Sequence, residues 1–444
     1  MSNAEDPKLV KSNVRLMLRD VSWRDVFPWL VILRSFSLAI SVPALFLATV
    51  AAFLTPVGWR CAEKLLLDPM AMDAELVEIV ERHGQWPSQR AEHASLSLDG
   101  QVVGKDSPSG PIKNLAMAAI HLTPNRIESV VEYYSQPIRR LFSHKSTFAE
   151  SCYLLFGSLW TTCVWAFFGG AITRIAVVKL GLDQRISFRV ACQFTSKRYV
   201  SYLTAPWLPL AGILVIAIPL ALFSVIMWFD FGVVIAGLLW SVMLVAGFLV
   251  ALLLFGLLFG WPLMWPTISA EINGDAFEAL QRSFSYVGTR PLHYLFYAVV
   301  ATSVGAFGWV FIDVFAELVI SSAYWVASWG AGSERMVDHV TPMVNGSIDS
   351  EGMSGFGSEL IRLQVGVVRA VAVAYTFSFF WSAASAIYLL LRQDVDQTEF
   401  DEVFTEELET EDLLPATAVH TEPVASSTEL PDDGDSLPQD ESQE

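Results

Sequence analysis

The sequence predicts an all-α fold: a polytopic transmembrane helical bundle of six spans, with interfacial amphipathic helices and a small mixed extracytoplasmic segment. Three observations predict it. Of 444 residues, 53% are apolar and only 17% are charged, against about 25% charge in an ordinary soluble domain. Six stretches of 22 to 40 residues contain no Asp, Glu, Lys or Arg, and a bilayer-spanning helix needs about 20 predominantly apolar residues. Lys and Arg crowd into some of the connections and are missing from others. Together with 15 Trp and 29 Phe, these features exclude a soluble enzyme, a disordered chain and a disulfide-rich secreted module.

The charge-free stretches lie between Arg34 and Arg60, Glu150 and Arg174, Arg198 and Asp230, Asp230 and Glu271, Arg290 and Asp313, and Arg369 and Arg392. Lipid offers no partner to a backbone amide, so each must be helical. The first span is expected at 36–57. That span follows a basic leader, 1–35; it lacks a clear small-residue cleavage site and is expected to act as an uncleaved signal anchor. A five-span membrane bundle with interfacial helices is expected over 152–391. The 40 residues between Asp230 and Glu271 are too long for one straight crossing. Pro262 and Pro266 are expected to end that span near Phe259, leaving a crossing from about Gly232 to Phe259. The short turn at Asp230 makes the third and fourth spans a tight hairpin. Leu318–Ser333, with Trp325 and Trp329, reads as an interfacial helix continuing from the fifth span.

Outside the spans, three basic amphipathic helices are expected on the inner leaflet, against its anionic headgroups. One covers 12–34. A second carries Ile186, Val190 and Phe194 beside Arg185, Arg189, Lys197 and Arg198. A third is capped by Asp275, with Glu278 completing the capping box and Phe277, Leu280, Phe284 and Val287 as its apolar stripe. Each precedes a transmembrane hairpin, which suggests a threefold layout. The extracytoplasmic segment, 58–151, should contain a helix at Asp73–Arg82, a hairpin around Asp99-Gly100 and a helix after Thr123-Pro124. The loop at 334–358 reads as flexible. The tail, 392–444, holds 18 acids and one Arg, so nearly all of the net charge of −18 sits there. It reads as a disordered acidic cytoplasmic tail; its apolar residues Val395, Phe400, Val403, Phe404 and Leu408 also suit docking of a basic protein partner.

Orientation follows Lys and Arg in short loops. Six precede the first span and six lie between the second and third, so both termini are expected in the cytoplasm of a cell (inner) membrane protein. Arg139, Arg140 and Lys145 oppose this, but they sit in a long loop, which the rule governs weakly.

Several blocks carry a resemblance. FGWPLMWPTISAE (259–271), DAFEALQRSFSYVGTRPLHYLFY (275–297), FFGGAITRIAV (167–177) and DVFPWLVILRSF (25–36) resemble an uncharacterised family of bacterial polytopic integral membrane proteins. The resemblance implies location and topology and carries no activity.

Motifs for chemistry are missing: no phosphate-binding loop, no dinucleotide fingerprint, no nucleophile elbow and no His-Glu-x-x-His. The seven His are scattered, and no catalytic residue, metal site or cofactor is expected. Cys61 and Cys152, at the outer ends of the first two spans, are a candidate disulfide. The sharpest polar constellation is Asp313 and Glu317 (i, i+4) with Arg362 and Arg369 (i, i+7), all near one membrane boundary. The favoured reading of such a cluster is that it staples two helices or lets Arg reach headgroups; the alternative is that it gates, relays ions or binds an anion. The Pro-Trp breaks at 206–209 and 261–266 are of the kind found in transporter sites, or simply where helices meet the interface. The leading functional reading is a non-enzymatic scaffold, assembly or envelope role, with no nucleic-acid partner. A small-solute or ion transporter is the second reading, and a membrane-embedded enzyme the third.

Overall fold

The structure, a computed structural model, describes residues 27–69, 72–87, 136–137, 139–141, 146–332 and 353–404. Six helices are long and apolar enough to cross a membrane: Val42–Leu66, Phe148–Gly181, Trp207–Trp228, Trp240–Ala270, Pro291–Ala331 and Gly355–Asp396. No strand occurs among the described residues, so the fold class is the expected polytopic helical bundle. The elements are α1 (Val31–Ala39), α2 (Val42–Leu66), α3 (Ala74–Gly84), α4 (Phe148–Gly181), α5 (Phe188–Lys197), α6 (Tyr199–Thr204), α7 (Trp207–Ser224), α8 (Asp230–Leu238), α9 (Trp240–Ala270), α10 (Ala276–Thr289), α11 (Pro291–Ala331) and α12 (Met353–Asp396).

Helix α4 is the central post. It packs antiparallel to α2 through interlocked indoles. Trp59 sits where Gly157 has no side chain, and Trp160 sits where Gly58 has none; a Cβ would lie 2.3 Å and 2.0 Å from those rings. Trp59 Nε1 donates to Thr161 Oγ1 at 3.0 Å, and Trp160 Nε1 to the Leu54 carbonyl at 3.0 Å. Small residues at a helix contact let backbones approach, which is how helices associate where lipid is as apolar as Leu. Helix α12 runs parallel to α4, with Trp165 against Phe377 and Gly169 against Trp381. Helix α11 packs antiparallel on α12, through Gly305 with Phe379 and Gly308 with Tyr375. Helix α1 wedges beside α12: Ser378 Oγ donates to the Ala39 carbonyl, and Ser35 Oγ to that of Ser382.

Several expectations are corrected. Pro262 and Pro266 do not end the fourth span, because α9 runs unbroken from Trp240 to Ala270. Stacking of Trp265 on Trp381 (4.2 Å between centroids) and Trp261 on Phe380 (5.3 Å) holds that course. The stretch from Leu318 does continue the fifth span, as expected, within the single 41-residue helix α11. Residues 12–26 of the leader helix lie outside the described residues, as do the hairpin around Asp99-Gly100, the 123–135 helix and most of the 334–358 loop. The described end of the leader does not lie only on a leaflet: Val31 and Ile32 are buried in the bundle. In the second amphipathic helix the buried face is Ala191, Phe194 and Thr195, with Val190 exposed. In the third it is Ala279, Ser283, Tyr286 and Val287, with Phe277 exposed. Asp275 caps that helix as expected, accepting from the Glu278 amide at 2.7 Å, whereas the Glu278 carboxylate is engaged by Arg282. Asp73 caps α3 by accepting from the Leu76 amide. The start of the acidic tail is partly packed: the Phe400 carbonyl and Val403 lie against Gly181, and Val403 is fully buried, while the acids around them are exposed.

Candidate functional site

Two features stand out: an ionic closure at the basic end of the bundle, and an aromatic cleft deeper within it. The closure is built around Glu271, just past the end of α9. Its Oε1 accepts from Tyr388 Oη at 2.7 Å and lies 3.0 Å from Arg392 Nε and 3.3 Å from Arg282 Nη1. Arg282 also meets Glu278 at 2.9 Å and Asp396 at 3.2 Å. Tyr286 donates to Asp396, and Tyr297 Oη donates to Asp394 at 2.9 Å. Burial, reinforced by the Asp396 carboxylate that takes its hydrogen bond, pushes the Tyr286 phenol up, so it remains a donor. Arg392 Nη1 donates to the Glu402 carbonyl at 2.7 Å, closing residues 397–403 back onto the end of α12. The carboxylate thus joins α9, α10 and α12, and the rest of the closure adds α11.

The second half of the closure caps α9. A helix C-terminus leaves carbonyls without partners and carries partial negative charge. Arg198 donates to the carbonyls of Ile268 (3.0 Å), Glu271 (2.7 Å) and Ile272 (2.6 Å). Arg174 Nη1 donates to that of Ser269 at 2.7 Å. Both guanidiniums stack on the Phe194 ring, at 4.1 Å and 4.6 Å. Ser269 Oγ also pairs with Thr173 Oγ1 and Tyr202 Oη, each at 2.8 Å. Arg198, expected on the inner leaflet, and Arg174 therefore hold a helix end. Nothing local in the sequence indicates this, since the carbonyls lie about 70 to 95 residues away.

The cleft has a volume of about 220 Å³ and lies between α2, α4, α9 and α12, with Pro87 and Pro206 at its margins. Trp165, Trp261, Trp265, Phe377, Phe380 and Trp381 form most of its wall. Its three hydroxyls are spent on their own helices: Thr55 donates to Ala51, Thr161 to Gly157 and Thr162 to Ser158. Trp265 Nε1 is likewise committed, to the Tyr202 carbonyl at 2.9 Å. The wall facing the cavity is apolar and does not suit a hydrophilic solute. The sequence holds a signal for it: Trp261/Trp265, which flank the expected helix break, and Phe377/Trp381 are each i, i+4 pairs on one helix face.

The expected four-residue cluster divides. Arg369 Nε meets Glu317 Oε1 at 3.0 Å, tying α12 to α11, while Arg362 pairs with Glu359 one turn away on its own helix at 2.9 Å. Cys61 and Cys152 are free thiols. On the opposite side of the bundle from the closure, Arg140 is buried between Glu150 (2.8 Å), Asp73 (2.8 Å) and Glu75 (3.0 Å). Burial opposes its charge, and the Glu150 and Asp73 carboxylates more than restore it, leaving its pKa raised. Among the described residues no group of three His, Cys, Asp or Glu could hold a metal.

No protein-family model, no curated protein and no solved structure matches the chain.

Proposed function

We propose that the chain is a non-enzymatic integral membrane protein of scaffold or assembly type, set in the inner membrane with both termini in the cytoplasm. The observation that supports this best is the ionic closure. Its buried charges bind one helix to another, from Glu271 with Arg282 and Arg392 to Arg198 on the end of α9. Charges in such a setting are normally paired, and they specify position. The blocks that resemble bacterial membrane proteins, 259–271 and 275–297, supply α9 and α10 of this closure. The cytoplasmic side is assigned to the closure because Lys and Arg collect there.

The tail joins this reading through its root. Residues 394–403 are fastened to the bundle by Tyr297, Arg282 and Arg392. Residues 405–444 then carry 13 acids and no Lys or Arg, a charge pattern suited to a basic protein partner. The test is affinity purification of the full chain and of a chain ending at residue 404, with thermal unfolding measured on both. Equal unfolding temperatures with loss of a stoichiometric basic partner from the shortened chain are expected. Identical partner sets would overturn the tail's role. A reporter fused at residue 404 should be active only in the cytoplasm, and activity on the far side would overturn the orientation.

A further inference from the structure

We propose that the aromatic cleft holds one acyl chain of a phospholipid whose phosphate rests on Arg60. This goes beyond the scaffold reading and does not depend on it. The cleft is walled by four helices that are long and apolar enough to lie in the bilayer, so the medium that fills it is lipid, not water. Its hydroxyls and the Trp265 indole are already bonded to backbone carbonyls, so the polar capacity left in the wall is small and poorly serves an ordered water, which needs two to four polar partners. At about 220 Å³ it is narrower than the ~300–1,000 Å³ of pockets for drug-sized ligands, and it suits a slim chain.

Charge complementarity names the other half of the ligand. Ala52 and Thr55 line the cleft, and Arg60 lies farther along α2, eight residues or about 12 Å beyond Ala52 and about 80° round the helix from it. Arg60 is held in place: its Nε donates to the Gly84 carbonyl at 2.6 Å, and its guanidinium lies 4.8 Å from the centroid of the Trp86 ring. Pro87, the next residue, is part of the cleft wall. Among the described residues no carboxylate pairs with Arg60. Both Nη groups are therefore left to a phosphate, which a planar guanidinium binds in bidentate fashion. A chain in the cleft and a phosphate at Arg60 are the two ends of one lipid.

The test uses the full chain in nanodiscs of phosphatidylcholine doped with a phosphatidylglycerol that carries a photoreactive diazirine in mid-chain. Labelled peptides are mapped by mass spectrometry. Label is expected on the segments Trp261–Trp265 and Phe377–Trp381, as well as on the outward face of α9 around Leu244 and Phe248. Val373→Trp fills the cleft and should cut cleft labelling about tenfold, equivalent to about 1.4 kcal/mol, with the α9 face unchanged. Arg60→Gln leaves the cleft intact and should cut it about fivefold, as an exposed charge contact is worth up to ~1 kcal/mol. Where V373W does not fold, Val373→Ala should keep or raise the labelling, and R60Q carries the loss. Label confined to the α9 face overturns the proposal, which includes the case of a cleft filled by residues 88–135 of the same chain. Cleft labelling unchanged in V373W also overturns it. Cleft labelling unchanged in R60Q overturns the phosphate contact and leaves an acyl chain from any source.

Discussion

The post formed by α2, α4 and α12 and the hairpin formed by α7 and α9 are both membrane-spanning, yet they are built oppositely. In the post, the most apolar window of α4 is 78% buried inside the bundle and that of α2 is 50% buried; in the hairpin the figures are 0% for α7 and 6% for α9. Mean hydropathy runs the other way, 1.6 and 1.7 in α4 and α2 against 2.7 and 2.9 in α7 and α9. In water the most apolar helix would be the core. In lipid no hydrophobic force draws Leu away from its surroundings, so buried helices are rich in small and hydroxyl residues, and Leu, Val and Phe mark the lipid face. Gly157, Gly169, Gly170, Ser378, Ser382 and Ser385 belong to the post, and Leu244, Phe248 and Leu252 to the hairpin.

The comparison can be broken most directly at Glu271. Glu271→Ala strands Arg392 and Arg282 beside a buried site and should cost about 3–5 kcal/mol, read as loss of folded protein in a detergent unfolding series. Leu244→Ala, on the exposed face of α9, should change little in the same assay. Equal losses would mean that the hairpin is as structural as the post. Glycine gives the next largest contrast. Gly157→Ala puts a Cβ 2.3 Å from the Trp59 ring and should cost about 1–3 kcal/mol from overpacking. Gly247→Ala meets open space and should be neutral or slightly stabilising, because Ala favours helix. An unfolding midpoint for G157A no lower than that of G247A would refute the interlocked indoles.

Smaller effects sharpen the picture. Glu317→Gln weakens the tie to Arg369 and should lower stability by about 1 kcal/mol, whereas Glu359→Gln, whose partner Arg362 is exposed on the same helix, should sit near zero. Identical melting curves for the two variants would dissolve the distinction between the staple and the surface pair. The smallest effect is at Asp183, which ends α4 in the left-handed region with φ of 56°. A hydrogen bond from Lys179 and the charge of Arg34 hold its carboxyl below the usual range. A depressed carboxylate contributes its stability at neutral pH and loses it as pH falls through the folded value. Asp183→Asn should therefore lower the melting temperature slightly at neutral pH, and the difference should vanish in strong acid. A difference that grows in acid would reverse the sign argued.

Features governed by neighbours in the chain were legible before the structure. The capping carboxylate of Asp275 acts within three residues and bonds as its position implies. The pairing of Glu317 with Arg369 was half legible: both stood at one boundary, but Arg362 found Glu359 three residues away. The course of α9 through Pro262 and Pro266 was misread, since a proline rule knows nothing of the indoles that hold the helix beyond it. The tail's first residues were misread likewise, because the place where Val403 is buried lies over Gly181, more than two hundred residues earlier.

Charge-free length set the number of spans and their helical state, for a peptide group in lipid has no partner but its own helix, and the placement of Lys and Arg set the basic end of the bundle. Neither could decide which of those spans would be inside. That choice was made by packing, where Gly58 and Gly157 admit two indoles and Glu271 gathers two guanidiniums from distant helices. Such contacts join residues up to about 120 positions apart, and only a folded backbone brings them within reach.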